Sequence, residues 1–257
     1  MKKLIITLAA LVMLVFSSNA FAYVTQWSYT LSALFTDSVL EGGGLLADGT
    51  NLTWGASTGF GSSSLVIDPS EVTGTVNTFI GGGIIPNTYW ADSVDLTHNN
   101  NPVTGNSLDK TTLEVTVLLD ALIPDQPALP TQMFSFGIDF EETTNGNPST
   151  ERDVFALLSG FPNFNFKNPY DGVEYFVNVF PSTGGVLSGL NATYAGLAGV
   201  PVGTLGFTTA ERASTTLGFS FTISTEPLTN VPEPSTMLLM GAGLLGLAAI
   251  GRRKARK

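Results

Sequence analysis

The chain has 257 residues, 43% of them hydrophobic, no cysteine, and a formal net charge of −10. Without cysteine it has no disulfide framework, no thiolate nucleophile and no cysteine-ligated metal. Between residues 23 and 230 only Lys110, Arg152, Lys167 and Arg212 stand against twenty acids, a net of −16. That balance excludes nucleic acid or an anionic membrane surface as a charge-driven partner.

The N-terminus reads as an export signal. Met1-Lys2-Lys3 precedes an apolar run from Leu4 to Phe16, and Ala20-Phe21-Ala22 supplies a small-residue cleavage site. Residues 1–22 are therefore expected to form a signal-peptide helix, cut by signal peptidase after Ala22. The 208 residues that follow, 23–230, must be held by burial alone, and that length suffices for one domain.

That body alternates with period two. Trp27, Tyr29, Leu31, Ala33 and Phe35 form one such run. Leu113 to Leu119, Phe134 to Phe140, Val173 to Val179 and Leu217 to Ile223 form others. Each run predicts a strand with one face on a core. Glycine-rich turns separate them, as at Glu41-Gly42-Gly43-Gly44 and Ser182-Thr183-Gly184-Gly185. Residues Arg152 to Leu158 read as helix or strand, and no stretch sustains a 3.6-residue period. The expected fold is all-β: an antiparallel two-sheet β-sandwich, jelly-roll-like, over residues 23–224. The proline-rich segment Pro124 to Pro130 is expected to be a long crossover between sheets. Residues 225–230 read as a linker.

The tail has three parts in fixed order: Val231-Pro232-Glu233-Pro234, an uncharged apolar run over 237–251, and the basic stretch 252–257 beginning Arg252-Arg253. The prolines forbid helix through residues 232–234 and keep the chain extended. Fifteen helical residues reach about 22 Å, short of a hydrocarbon core of about 30 Å. A short transmembrane helix with cytoplasmic cations is expected. This tail resembles the sorting signal of PEP-CTERM proteins. The resemblance implies transient residence in the inner membrane and processing near the Pro-Glu-Pro turn by an exosortase. It further implies a Gram-negative envelope, display at the cell surface or in the extracellular matrix, and an association with exopolysaccharide and biofilm.

His98 is the single histidine, in Thr97-His98-Asn99-Asn100. With the tail, and with the stretch Trp54-Gly55 to Ser63-Ser64-Leu65, the pattern Thr97, His98, Asn100 resembles the THxN subset of PEP-CTERM proteins. That subset brings no assigned activity. A lone histidine without a Gly-x-Ser-x-Gly elbow or a second histidine offers neither a recognisable triad nor a zinc site. His98 is expected to be structural, in a polar loop pinned to a strand end. No cofactor is expected unless calcium binds. For calcium, Asp139, Glu141, Glu142 and Asp153 are the candidate oxygen ligands, with Asn145 and Asn147 close in sequence. The alternative is a solvated strand face. The aromatic-polar run Phe161 to Tyr170 suits either a sugar platform or a core. The chain thus reads as a non-enzymatic structural or adhesive surface protein. A calcium-assisted carbohydrate-binding module and a secreted hydrolase are the alternatives.

Overall fold

The computed structural model describes residues 23–81, 85–143, 151–158, 163–182 and 184–228. The expected helices over 1–22 and 237–251, the sorting motif with Arg252 and Arg253, and Asn145 and Asn147 lie outside them. Among the described residues no helix is long and apolar enough to cross a membrane.

The protein is built mostly from strands. One run of neighbours contains β1 (Gln26–Leu40), β5 (Glu71–Phe79), β8 (Leu108–Ile123), β9 (Gln132–Glu141), β10 (Arg152–Leu157), β13 (Ser188–Gly189) and β14 (Leu205–Ala210). Its order is β13-β14-β10-β9-β8-β1-β5. The other contains β2 (Asn51–Trp54), β4 (Ser63–Ile67), β6 (Ala91–Asn100), β11 (Phe164–Lys167), β12 (Glu174–Pro181) and β15 (Ala213–Ser224). There β15 pairs with β6 and β12, β6 with β4, β4 with β2, and β12 with β11. A small separate sheet pairs β3 (Ala56–Ser57) with β7 (Val103–Thr104).

The expected pair of separate antiparallel sheets is met only in part. Two residues of β5, Thr78 and Phe79, pair parallel with Ile223 and Ser224 of β15. This link joins both runs into one large mixed sheet. The proline segment is also different from expectation. It connects β8 to β9, which are direct antiparallel neighbours. It folds back on β8 through Leu129 N–H to the Leu119 carbonyl, 3.1 Å.

The inward-facing residues of the two runs meet in one core. Trp27 is fully buried, and its indole N–H donates to Thr78 Oγ1 at 2.9 Å. Tyr175 and Phe166 meet it edge-on at 5.1 and 5.8 Å, and Tyr29 meets Phe221 at 4.8 Å. Such pairs contribute about 0.5–1.5 kcal/mol each beyond area burial. The Tyr175 hydroxyl accepts from Val24 N–H at 2.7 Å and donates to Asp171 Oδ2 at 2.6 Å. It thereby ties the start of the body to the β12 turn.

Arg152–Leu157 is a strand, and Asp153 to Leu157 are all buried. Its outer side is covered by a short helix, α1 (Ala192–Leu197), and the residue leading into it, with Ala195 and Leu190 against Val154 and Ala156. Asn191 caps α1 by accepting from the N–H groups of Thr193 and Tyr194.

Candidate functional site

The stretch Thr97 to Asn100 is the end of β6, not a loop. Strand geometry sends alternate side chains to opposite faces. Thr97 and Asn99 face outward. Thr97 Oγ1 meets Thr216 Oγ1 at 2.8 Å, and Asn99 Nδ2 donates to Ser64 Oγ at 3.1 Å. His98 and Asn100 face inward, 1% and 0% exposed. The expectation of a polar loop fails because this segment is laddered on both sides, against β4 and β15.

His98 packs as an aromatic ring. It stacks on Trp54 with centroids 5.9 Å apart and planes 12° apart, and meets Phe140 edge-on at 5.0 Å. Its Nε2 faces Asp153 Oδ2 at 3.7 Å, too far for a hydrogen bond. Burial pushes the imidazole down to about 3, so the pair is a neutral ring beside a carboxyl and not an ion pair.

Around Asn100 and His98 the fold gathers acids from different elements. Glu142 follows the end of β9, and Asp153 lies at the start of β10. Glu211 lies in the two-residue corner where the chain leaves β14 for β15. One carboxylate oxygen from each of Glu142, Asp153 and Glu211 lies within 4.8 Å of the others. Glu142 Oε2 accepts from Trp54 Nε1–H at 2.7 Å. Asp153 Oδ1 accepts from the Thr143 N–H and hydroxyl at 3.0 and 3.2 Å. These bonds fix two of the three carboxyls and leave Glu142 Oε1 and Asp153 Oδ2 without a hydrogen-bond partner among the described residues. Both Glu211 oxygens are in the same condition.

Burial, opposed by the Trp54 bond and reinforced by Glu211 and Glu41, pushes Glu142 up to about 7. Burial and then Glu142 push Asp153 up to about 8. Glu211 is also raised, by burial first, while the neighbouring Asn100 amide acts against it. That amide is near the Glu211 carboxyl but completes no hydrogen bond with it. Its Nδ2 donates instead to the Thr209 carbonyl at 3.0 Å.

Of the four calcium candidates read from sequence, Glu142 and Asp153 come together, and Asp139 and Glu141 do not. The latter two lie on the face of β9 opposite Ile138 and Phe140, which are buried in the core. Glu211 and Thr209 were not singled out. Their strand lies more than fifty residues from Asp153 in the chain, and only the β10–β14 register Asp153↔Thr209 brings them together.

Two further stretches resolve the same way. Phe164 and Phe166 pack inward, against Phe134 at 4.2 Å and against Trp27 and Tyr175, so neither offers a sugar platform, whereas Tyr170 is exposed and Phe161 lies outside the described residues. Trp54-Gly55 and Ser63-Ser64-Leu65 converge with Thr97 to Asn100. Ser63 Oγ donates to the Asn101 carbonyl at 2.9 Å and accepts from the Asn101 N–H at 3.1 Å. Leu65 lies opposite His98 in the β4–β6 ladder.

Comparison with known proteins places the tail. Residues 230–255 match the PEP-CTERM protein-sorting motif. A chain carrying this motif is of the exported, surface-directed class, and the motif implies processing by an exosortase. No curated protein matches the chain in sequence.

Proposed function

We propose that this protein is a non-enzymatic component of the cell surface or extracellular matrix, of the THxN kind, with a structural or adhesive role. The observation that carries the proposal is the sorting motif over residues 230–255, behind a single β-rich body. The single histidine supports the same reading. A general base has to reach the proton it takes from a substrate. His98 is 1% exposed, covered by Trp54 and Phe140, and held neutral far below the working range of a base. The strong acidity of the body favours partners that are neutral glycans or are bridged through cations, such as exopolysaccharide within a biofilm.

The test exploits the different stoichiometry of structure and catalysis. In a strain lacking the protein, its expression is restored in graded amounts. Matrix cohesion and cell adhesion should rise in proportion to surface copies. Full restoration at a few per cent of the normal amount, together with turnover of a polysaccharide by the purified protein, would favour the secreted hydrolase.

A further inference from the structure

We infer that Glu142, Asp153 and Glu211, completed by Asn100 and Thr209, bind one calcium ion. This inference goes beyond the surface role and stands on packing independently of it. Three carboxyls gathered at one buried point are an unstable arrangement without a counter-charge. No lysine or arginine forms a salt bridge with any of them among the described residues. Arg152 donates to Thr208 instead, and Arg212, whose charge acts weakly on Glu211, stacks 4.0 Å over the Phe60 ring without pairing with that acid.

The second observation is independent of charge. Asn100 is completely buried, and its side-chain orientation is set by the Nδ2 bond to the Thr209 carbonyl. Its amide lies beside the Glu211 carboxyl, and its buried Oδ1 has no hydrogen-bond partner among the described residues. Thr209 is also completely buried with an unpartnered Oγ1, and as the cross-strand partner of Asp153 it shares that residue's face. Buried polar atoms are almost always satisfied, and several orphaned oxygens at one point, most of them from carboxyls, fit a bound cation.

The donor chemistry selects calcium. Glu142 Oε1, Asp153 Oδ2, both Glu211 oxygens, Asn100 Oδ1 and Thr209 Oγ1 are all hard oxygens, and calcium takes six to eight of these at roughly 2.3–2.6 Å. One oxygen from each of Glu142, Asp153 and Glu211 lies within 4.8 Å of the others, close enough for all three to reach an ion of that size. Magnesium keeps several waters and suits a buried all-protein set less well. Zinc prefers nitrogen, and the imidazole of His98 stands outside the group of three. The ion would neutralise most of the acid charge and clamp the ends of β6, β9 and β10 to the β14–β15 corner.

The test uses the mature protein recovered from the cell surface, stripped with EGTA and titrated in turn with calcium, magnesium and zinc. One calcium per chain is expected. At calcium about a hundredfold above its Kd the melting temperature should rise by about 5–10 °C. Terbium should replace calcium and luminesce on excitation of Trp54, whose ring bonds the ligand Glu142. Added calcium should quench that emission. Glu211→Gln should weaken calcium about tenfold or more, whereas Asp139→Asn, on the opposite face of β9, should leave its affinity unchanged. The wild-type titration decides the matter even if Glu211→Gln fails to fold. Absence of calcium binding, tighter binding of magnesium or zinc, or unchanged affinity in folded Glu211→Gln overturns the inference.

Discussion

Replacing His98 with alanine removes a ring that fills the space between Trp54 and Phe140. Truncating a buried ring of this size costs about 2–4 kcal/mol in lost burial and cavity formation. Chemical denaturation of His98→Ala should show that loss, and His98→Phe should recover part of it. A wild-type denaturation curve for His98→Ala would contradict the packing role. The neighbouring acids give a pH dependence in calcium-free protein. Their folded values, about 7 for Glu142 and about 8 for Asp153, lie above the unfolded range near 4. The folded state therefore holds protons that the unfolded state releases, and stability falls as pH rises through 6.5 to 8. His98 acts in the opposite sense, because the unfolded ring begins to take a proton near 6.5. Two raised carboxyls outweigh it in this window. In EGTA the melting temperature should be higher at pH 6.5 than at pH 8. The inward aim of His98 and its place in a strand were not legible. The run of asparagines reads as turn chemistry, and the β4 and β15 ladders override that local preference.

At the scale of elements, the long strands were legible wherever one face meets the core. Trp27 to Phe35, Leu113 to Leu119 and Phe134 to Phe140 alternate and fall in β1, β8 and β9. Alternation also locates the strand at Leu217 to Ile223 in β15, but in its second half, as in β10, both faces are covered and not one. There even Ser220, Thr222 and Ser224 are buried, with Ser224 Oγ held by Asn178 Nδ2 at 2.9 Å. Helix α1 escaped notice because six residues are too few to establish a helical period. The third member of the acid cluster, Glu211, was invisible because strand register is a long-range property. One element boundary gives a sharp prediction. Gly55 ends β2 at φ +70°, and a Cβ there would sit 2.4 Å from Val103 Cβ. Gly55→Ala should combine left-handed strain with overpacking and cost about 2–4 kcal/mol. It should also displace Trp54 from His98. An unchanged melting temperature and unchanged tryptophan emission would contradict that arrangement.

At the scale of the whole molecule, a strongly acidic body is joined to a short tail that ends in cations. The sorting motif was legible, because its information lies in local order: a Pro-Glu-Pro turn, an apolar run and a basic end. Glu233→Ala, or Arg252→Ala with Arg253→Ala, should leave the precursor in the inner membrane, seen by fractionation and immunoblotting. Release at wild-type levels would contradict the sorting reading. The proposed protein is displayed outside the cell as a stoichiometric component. The most direct measurement is intact-mass spectrometry of protein shaved or washed from the surface of living host cells. The expected result is a chain starting at Tyr23, ending near the Pro-Glu-Pro turn without residues 237–257, and abundant in the surface fraction. A chain retaining its basic tail and found only in the inner-membrane fraction would contradict it.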